Sequence, residues 1–299
     1  MTAPSLLLHF EEDAASAQRL AQAAGMAQAC IARHRFPDGE LKLLLPPELP
    51  ARVVLLRSLN DPNEKLTELL LVAQAARGLG ARQLTLVTPY LAYMRQDMAF
   101  TPGEVVSQRI VGRFLADLFD AVITVDPHLH RVATLQEAVP VPQAVVLSGA
   151  PLLADEIAAH HTTPLLIGPD EESAQWIAQA AQVHGFDYGV CRKVRHGDRE
   201  VQIELPDVAV RGRAVVLLDD VASSGRTLAG AAHLLLAAGA ASVDVAVTHA
   251  LFAGDALQVI QESGVGRVWS TDTIQHPSNT VSMANPIAQA LLSLHYQDS

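Results

Sequence analysis

The chain has 299 residues, of which 49% are hydrophobic, 4% aromatic and 18% charged, and it carries a formal net charge of −11. That length allows two domains, and an apolar, aromatic-poor composition suits helices packed on sheets. The acidic balance argues against nucleic acid, which is bound through excess Lys and Arg; no apolar run approaches the ~20 residues of a membrane span, and Cys30 and Cys191, outside any CxxC or Cys/His cluster, support neither a disulfide framework nor zinc.

In chain order, MTAPSLLLHFEED turns acidic where a signal peptide would stay apolar, so the expected location is cytoplasmic. FPDGE, residues 36–40, reads as a turn made by Asp38 and Gly39, with the Phe36 ring available to stack on a base; a plain turn between strands is the alternative. VVLL at 53–56 is strand-like, and Leu66, Leu69, Leu70, Ala73 and Ala76 share one helix face. The strand LTLV leads into TPYLAYMRQD, residues 88–97. There Arg95 offers a cationic fork to phosphate oxygens and Gln96 both donates and accepts, unless the segment is only a solvated loop. Val106, Ile110, Phe114 and Leu118 mark a second helix face. AVITV then runs into TVDPHLH, residues 124–130, where Asp126 and His128 could share a hard metal with substrate phosphates; His130 is assigned no role.

Residues 139–151, rich in proline and small side chains, suggest a boundary between domains 1–145 and 146–299. Beyond it, PLLI leads into GPDEES, placing Asp170 at a strand end, while Glu171 and Glu172 suit the first turn of a helix. YGVCRKVRHGDREVQIEL, residues 188–205, reads as strand, polar turn and returning strand. Lys193 and Arg195 lie on one side and Arg192 on the other; an exposed hairpin of alternating charge is the alternative. The stretches 111–130 and 230–250 look faintly alike, each a helix, a bend and a strand, which favours two similar domains. The whole alternation predicts an α/β fold with mostly parallel sheets flanked by helices.

VVLLDDVASSGRTL, residues 215–228, sets two carboxylates, Asp219 and Asp220, at the carboxyl end of an apolar strand. A loop of small residues and hydroxyls follows: Ser223, Ser224, Gly225, Arg226 and Thr227. In an open parallel sheet that end faces the ligand crevice, and the next helix begins with free N–H groups and a positive dipole end. Gly225 lets the backbone approach an anion, so the loop reads as a phosphate cup beside acceptor groups suited to ribose hydroxyls. A helix cap in which Asp220 and Ser224 satisfy backbone N–H groups is the alternative.

This stretch resembles the phosphoribosyl diphosphate (PRPP) binding motif of the type I phosphoribosyltransferase superfamily. With FPDGE, TPYLAYMRQD, TVDPHLH, GPDEES and the pair Lys193 and Arg195 in matching order, nearly the whole chain resembles the ribose-phosphate diphosphokinase family, its shorter archaeal-like members above all. Simple transferases have no counterpart of the first half. The resemblance implies two phosphoribosyltransferase-like domains and a Mg2+-dependent transfer of the diphosphoryl group of ATP to ribose 5-phosphate, giving PRPP and AMP. It implies that Phe36, Asp38, Gly39 and Glu40 hold adenine in a neighbouring subunit's site, hence a homo-oligomer, and that Arg95, Gln96 and His128 also bind ATP. Lys193 and Arg195 fall in the catalytic flexible loop; Asp219, Asp220 and residues 223–227 bind ribose 5-phosphate; His128, Asp170 and Asp126 serve the metal. Pro127 and Arg226 depart from the family pattern, and Arg226 puts the cup's detailed contacts in question. A transferase consuming PRPP at the same cup, or a non-catalytic nucleotide-sensing partner, are the alternative functions.

Overall fold

The computed structural model describes residues 5–129, 131–196 and 200–294, with backbone alone for 193–196 and 200–202. The first unit contains β1 (Ser5–His9), α1 (Ala14–Ala24), β2 (Ala27–Cys30), β3 (Ala32–Arg35), β4 (Leu41–Leu44), β5 (Arg52–Leu56), α2 (Pro62–Gly78), β6 (Gln83–Val87), α3 (Ser107–Leu118), β7 (Ala121–Val125), α4 (Leu135–Ala138) and β8 (Gln143–Leu147). The second contains α5 (Ala150–His160), β9 (Leu165–Gly168), α6 (Ala174–His184), β10 (Asp187–Val190), β11 (Arg192–His196), β12 (Glu200–Glu204), β13 (Ala214–Ala222), α7 (Arg226–Ala237), β14 (Ser242–Ala250), α8 (Ala256–Glu262), β15 (Val268–Thr271) and β16 (Asn279–Val281). A last helix, α9 (Ala284–Ser293), returns to the first unit.

Each unit is a six-stranded parallel sheet, ordered β2-β1-β5-β6-β7-β8 in the first and β10-β9-β13-β14-β15-β16 in the second. An antiparallel hairpin, β3–β4 or β11–β12, follows the second sheet strand of each. Parallel strands covered on both faces are apolar throughout. In β13, Val215 and Leu217 pack with α7 and α8 on one side, while Val216 and Leu218 pack with α5 and α6 on the other.

Four expectations need correction. The division at 145/146 falls instead after Leu147, and α9 belongs with the first unit, where it packs on α1 and buries Ile287, Ala288 and Leu291. On α2 the inward stripe is Leu69, Val72, Ala73 and Ala76, joined by Glu68, whereas Leu70 is 40% exposed. On α3 it is Gln108, Val111, Leu115 and Leu118, leaving Ile110 60% exposed. A polar side chain turns inward there because Gln108 Nε2 donates to the Met94 carbonyl at 3.1 Å, and Gly112 is needed because a Cβ would stand 1.7 Å from the Ala138 carbonyl oxygen. Finally, the repeat is real but out of phase by one unit: strand order matches β14 to β6 and β15 to β7, so α3–β7 corresponds to α8–β15 rather than to α7–β14.

Candidate active site

In the second unit β9 and β13 are neighbours, pairing Leu165 with Val215 and Ile167 with Leu217, so the segments after them emerge at the same carboxyl end. Asp170 is buried and accepts from the Glu172 N–H at 3.1 Å, opening the turn that leads into α6 as the sequence suggests. Asp219 is half-buried and Asp220 buried, and Asp219 Oδ1 accepts from the Asp220 N–H at 3.0 Å. Burial pushes the Asp219 carboxyl well above the usual carboxylate range, and the charges of Asp220 and Asp170 push it the same way. The buried Cys191 thiol is pushed up to about 11 by burial and then by Asp170. Its chemistry is that of a small hydrophobe.

The loop after β13 has Ser223 half-buried, Ser224 and Arg226 exposed, and Thr227 half-buried. Gly225 is the N-cap of α7 at φ 70°, so no side chain at the cap position satisfies the first helical N–H groups. The need for glycine differs from the sequence reading. A Cβ there would lie 2.8 Å from the Ala256 carbonyl oxygen and 3.0 Å from Ile260, so the missing side chain admits α8 rather than clearing room for an anion. The expected hairpin at 188–205 is present as β11–β12, which pairs Lys193 with Ile203 and Arg195 with Val201. The side chains of Lys193 and Arg195 lie outside the described residues, as does His130.

In the first unit β6 and β7 are also neighbours, and the following segments interlock: the Thr88 N–H donates to Ile123 and the Val125 N–H to Pro89. Tyr93 and Asp126 hold positive φ, 64° and 37°, which side chains other than glycine rarely adopt. Asp126 is buried, His128 half-buried, and Arg95 exposed. Gln96 is more constrained than the sequence implies. Its Nε2 donates to the Met98 carbonyl and to Glu104 Oε1, both at 2.9 Å, which uses its two hydrogens and leaves the side chain its Oε1 as an acceptor. Glu104 closes the loop through Oε2, accepting from the N–H groups of Phe100 at 2.6 Å and Thr101 at 3.0 Å, and these bonds hold its carboxyl below the usual range. Arg131 pairs with buried Asp97 at 2.6 Å. Sequence reading passed over Glu104, Gln108 and Arg131; the Pro-Gly-Glu run just before α3 was the available signal for the first.

FPDGE forms the β3–β4 turn, with the Glu40 N–H donating to Asp38 Oδ1 at 3.2 Å, Gly39 at φ 94° and Phe36 40% exposed against His34. At the position equivalent to Asp219, directly after the apolar run of β5, stands Arg57 rather than a carboxylate. It is 1% exposed and saturated by Glu12, Asp13 and Glu68. Two hollows, of about 140 Å³ beside Ser5 and Arg52 and about 440 Å³ beside Leu165 and Asp187, lie at the amino ends of the strands, opposite to where parallel sheets bind ligands. Among the described residues no three His, Cys, Asp or Glu side chains form a ligand cluster: Asp126 and His128 belong to the first unit and Asp170 to the second.

Residues 6–118 match the model of the N-terminal domain of ribose phosphate pyrophosphokinase, and residues 144–263 match the phosphoribosyl transferase domain. The ribose-phosphate pyrophosphokinase of Methanopyrus kandleri is 36% identical, over 97% of this chain and 99% of its own. That of Halobacterium salinarum is 35% identical, over 96% and 100%. Among solved structures, the phosphoribosylpyrophosphate synthetase of Mycobacterium smegmatis superposes with a TM-score of 0.83 at 24% identity, covering 97% of this chain and 98% of that one, a likeness of fold.

Proposed function

The chain belongs to the ribose-phosphate pyrophosphokinase family, and on that premise we propose how its two units divide the work. The protein is an enzyme that transfers the diphosphoryl group of ATP to the anomeric hydroxyl of ribose 5-phosphate, giving PRPP and AMP. The observation that carries our division is the asymmetry between equivalent positions: the apolar run of β13 ends in the carboxylates Asp219 and Asp220, whereas the matching run of β5 ends in Arg57, a buried arginine that is already neutralised. One sugar-phosphate site per chain follows, in the second unit.

There the N–H groups and hydroxyls of Ser223, Ser224, Gly225, Arg226 and Thr227 hold the 5-phosphate, and Asp219 and Asp220 take the ribose hydroxyls. The first unit supplies the nucleotide contacts. Arg95 and His128 hold phosphate oxygens, while Gln96, whose donors are spent, accepts from an amino or hydroxyl group. Phe36 stacks on adenine with Asp38, Gly39 and Glu40 around it, in a neighbouring subunit's site of a homo-oligomer. Lys193 and Arg195 stabilise charge on the β-phosphoryl group as it transfers, an interaction of most value in the transition state.

Oxygen donors fit a hard divalent ion. The elevated Asp219 carboxyl, pressed by burial, Asp220 and Asp170, marks a place where a cation would offset excess negative charge. Mg2+ held by Asp170, and by Asp126 and His128, would neutralise phosphate oxygens. No helix among the described residues is long and apolar enough to cross a membrane, and we take the cytoplasm, where ATP is abundant, as the place of action. Incubation with ATP, Mg2+ and ribose 5-phosphate tests the reading: AMP and PRPP should form together. A transferase would stay silent until PRPP and a base were supplied, and a sensing partner would stay silent in both.

A further inference from the structure

The hairpin that presents FPDGE is weakly anchored by apolar contact. Every residue of β3 is exposed, and β4 contributes only the half-buried Leu41 and Leu43. Charge holds β3 in place. Arg33 Nη1 donates to Glu68 Oε1 at 2.5 Å and to Glu12 Oε1 at 3.0 Å, and Nη2 donates to Glu12 Oε2 at 3.2 Å; two residues on, Arg35 pairs with Glu64. Glu64 and Glu68 stand one turn apart on α2, and Arg33 and Arg35 recur at the strand period, so helix and strand meet at two matched points.

The inner point is not a surface ion pair. Glu68 is fully buried, and its second oxygen accepts from Arg57 Nε at 2.9 Å and Nη2 at 2.5 Å. Arg57 is itself buried, reaches Asp13 Oδ2 at 2.8 Å, and lies 4.4 Å from the Phe10 ring centroid, which also carries Arg33 at 5.4 Å. One carboxylate thus joins a core cation to a hairpin cation, with little water to screen it and too little freedom to rotate.

We propose that Glu68 and Arg33 are positioning residues for nucleotide binding, fixing the angle at which the β3–β4 hairpin offers Phe36 and Glu40. The inference rests on the reading of that hairpin as an adenine contact. Residues that touch no substrate but aim those that do should act on ATP alone.

Arg33→Met, with only a partly exposed side chain replaced, should raise the KM for ATP about tenfold while kcat and the KM for ribose 5-phosphate stay within about twofold. Arg33→Lys should recover part of the loss, since an ammonium reaches one carboxylate but not both with a planar fork. Amide hydrogen exchange of residues 33–43 should quicken in Arg33→Met and not elsewhere in the first unit. Glu68→Gln should repeat the kinetic pattern, and Arg33→Met decides alone if that variant fails to fold. Phe36→Ala is the control. If it raises the ATP KM while Arg33→Met behaves as the parent, the positioning role is overturned; if neither changes ATP binding, the adenine reading of the hairpin falls instead. Parallel rises in both KM values with a lowered melting temperature would reduce the network to ordinary structural support and also overturn the proposal.

Discussion

A carboxyl group held beside two others at a strand end costs the fold more as it ionises. Asp219 titrates above its unfolded value, so its cost is absent below the ordinary carboxylate range, where both states are protonated, grows as pH rises from the ordinary value to the elevated folded one, and is fully present above it. Asp219→Asn keeps an acceptor for the Asp220 N–H and removes the charge. In metal-free buffer it should raise the melting temperature at pH 8, by about 2–4 °C for each kcal/mol relieved, and match the parent near pH 3.5. A pH-independent shift in a thermal melt would refute this. Gly225 makes the opposite case. An alanine there meets a positive φ and the Ala256 carbonyl, so Gly225→Ala should cost at least ~1 kcal/mol and raise the KM for ribose 5-phosphate more than that for ATP. Equal KM changes would separate the loop from the sugar site. The sequence identified this glycine but misread its reason, because α8 comes against it only after a further strand has crossed the sheet.

At the scale of elements, the loop between Gln96 and α3 is closed by one carboxylate. Glu104→Ala releases two backbone N–H groups and the Gln96 amide together. It should raise the KM for ATP several-fold, as loss of a charge-assisted network at an exposed loop would, and leave that for ribose 5-phosphate unchanged. Steady-state kinetics with each substrate varied would expose an error. The elements themselves were largely legible: apolar runs became strands, Asp38-Gly39 made the turn of one hairpin, and the strands of the other pair as expected, while the polar turn expected at 197–199 lies outside the described residues. The helix faces were less so. Periodicity put Leu70 and Ile110 inside, but a buried Glu68 bound to Arg57 and a buried Gln108 bound to the Met94 carbonyl rotate the true stripes. Polar residues with a partner across the fold look, in sequence, like residues for the solvent side.

For the whole molecule, two sheets of one topology have diverged at one corresponding strand end, which carries the carboxylates Asp219 and Asp220 in the second unit and the neutralised cation Arg57 in the first. Sequence similarity between the halves was too faint to register that correspondence correctly; strand order supplies it. If the adenine contact crosses subunits, oligomers formed from a Phe36→Ala/Glu40→Ala variant and a Lys193→Ala variant, each inactive alone, should recover about a quarter of parental activity in a random pairwise mixture. Mixed oligomers confirmed by mass spectrometry yet still inactive would confine the site to one chain. The return of α9 to the first unit has a further consequence, for biosynthesis. The second unit, Ser148–Ser282, is contiguous, whereas α1 lacks its neighbour α9, with the apolar Ile287, Ala288 and Leu291, until the chain has been made through Ser293. A premature stop after Ser282 would therefore spare every proposed substrate contact and still release a polypeptide with an open apolar seam, the kind of lesion that proteolytic quality control removes.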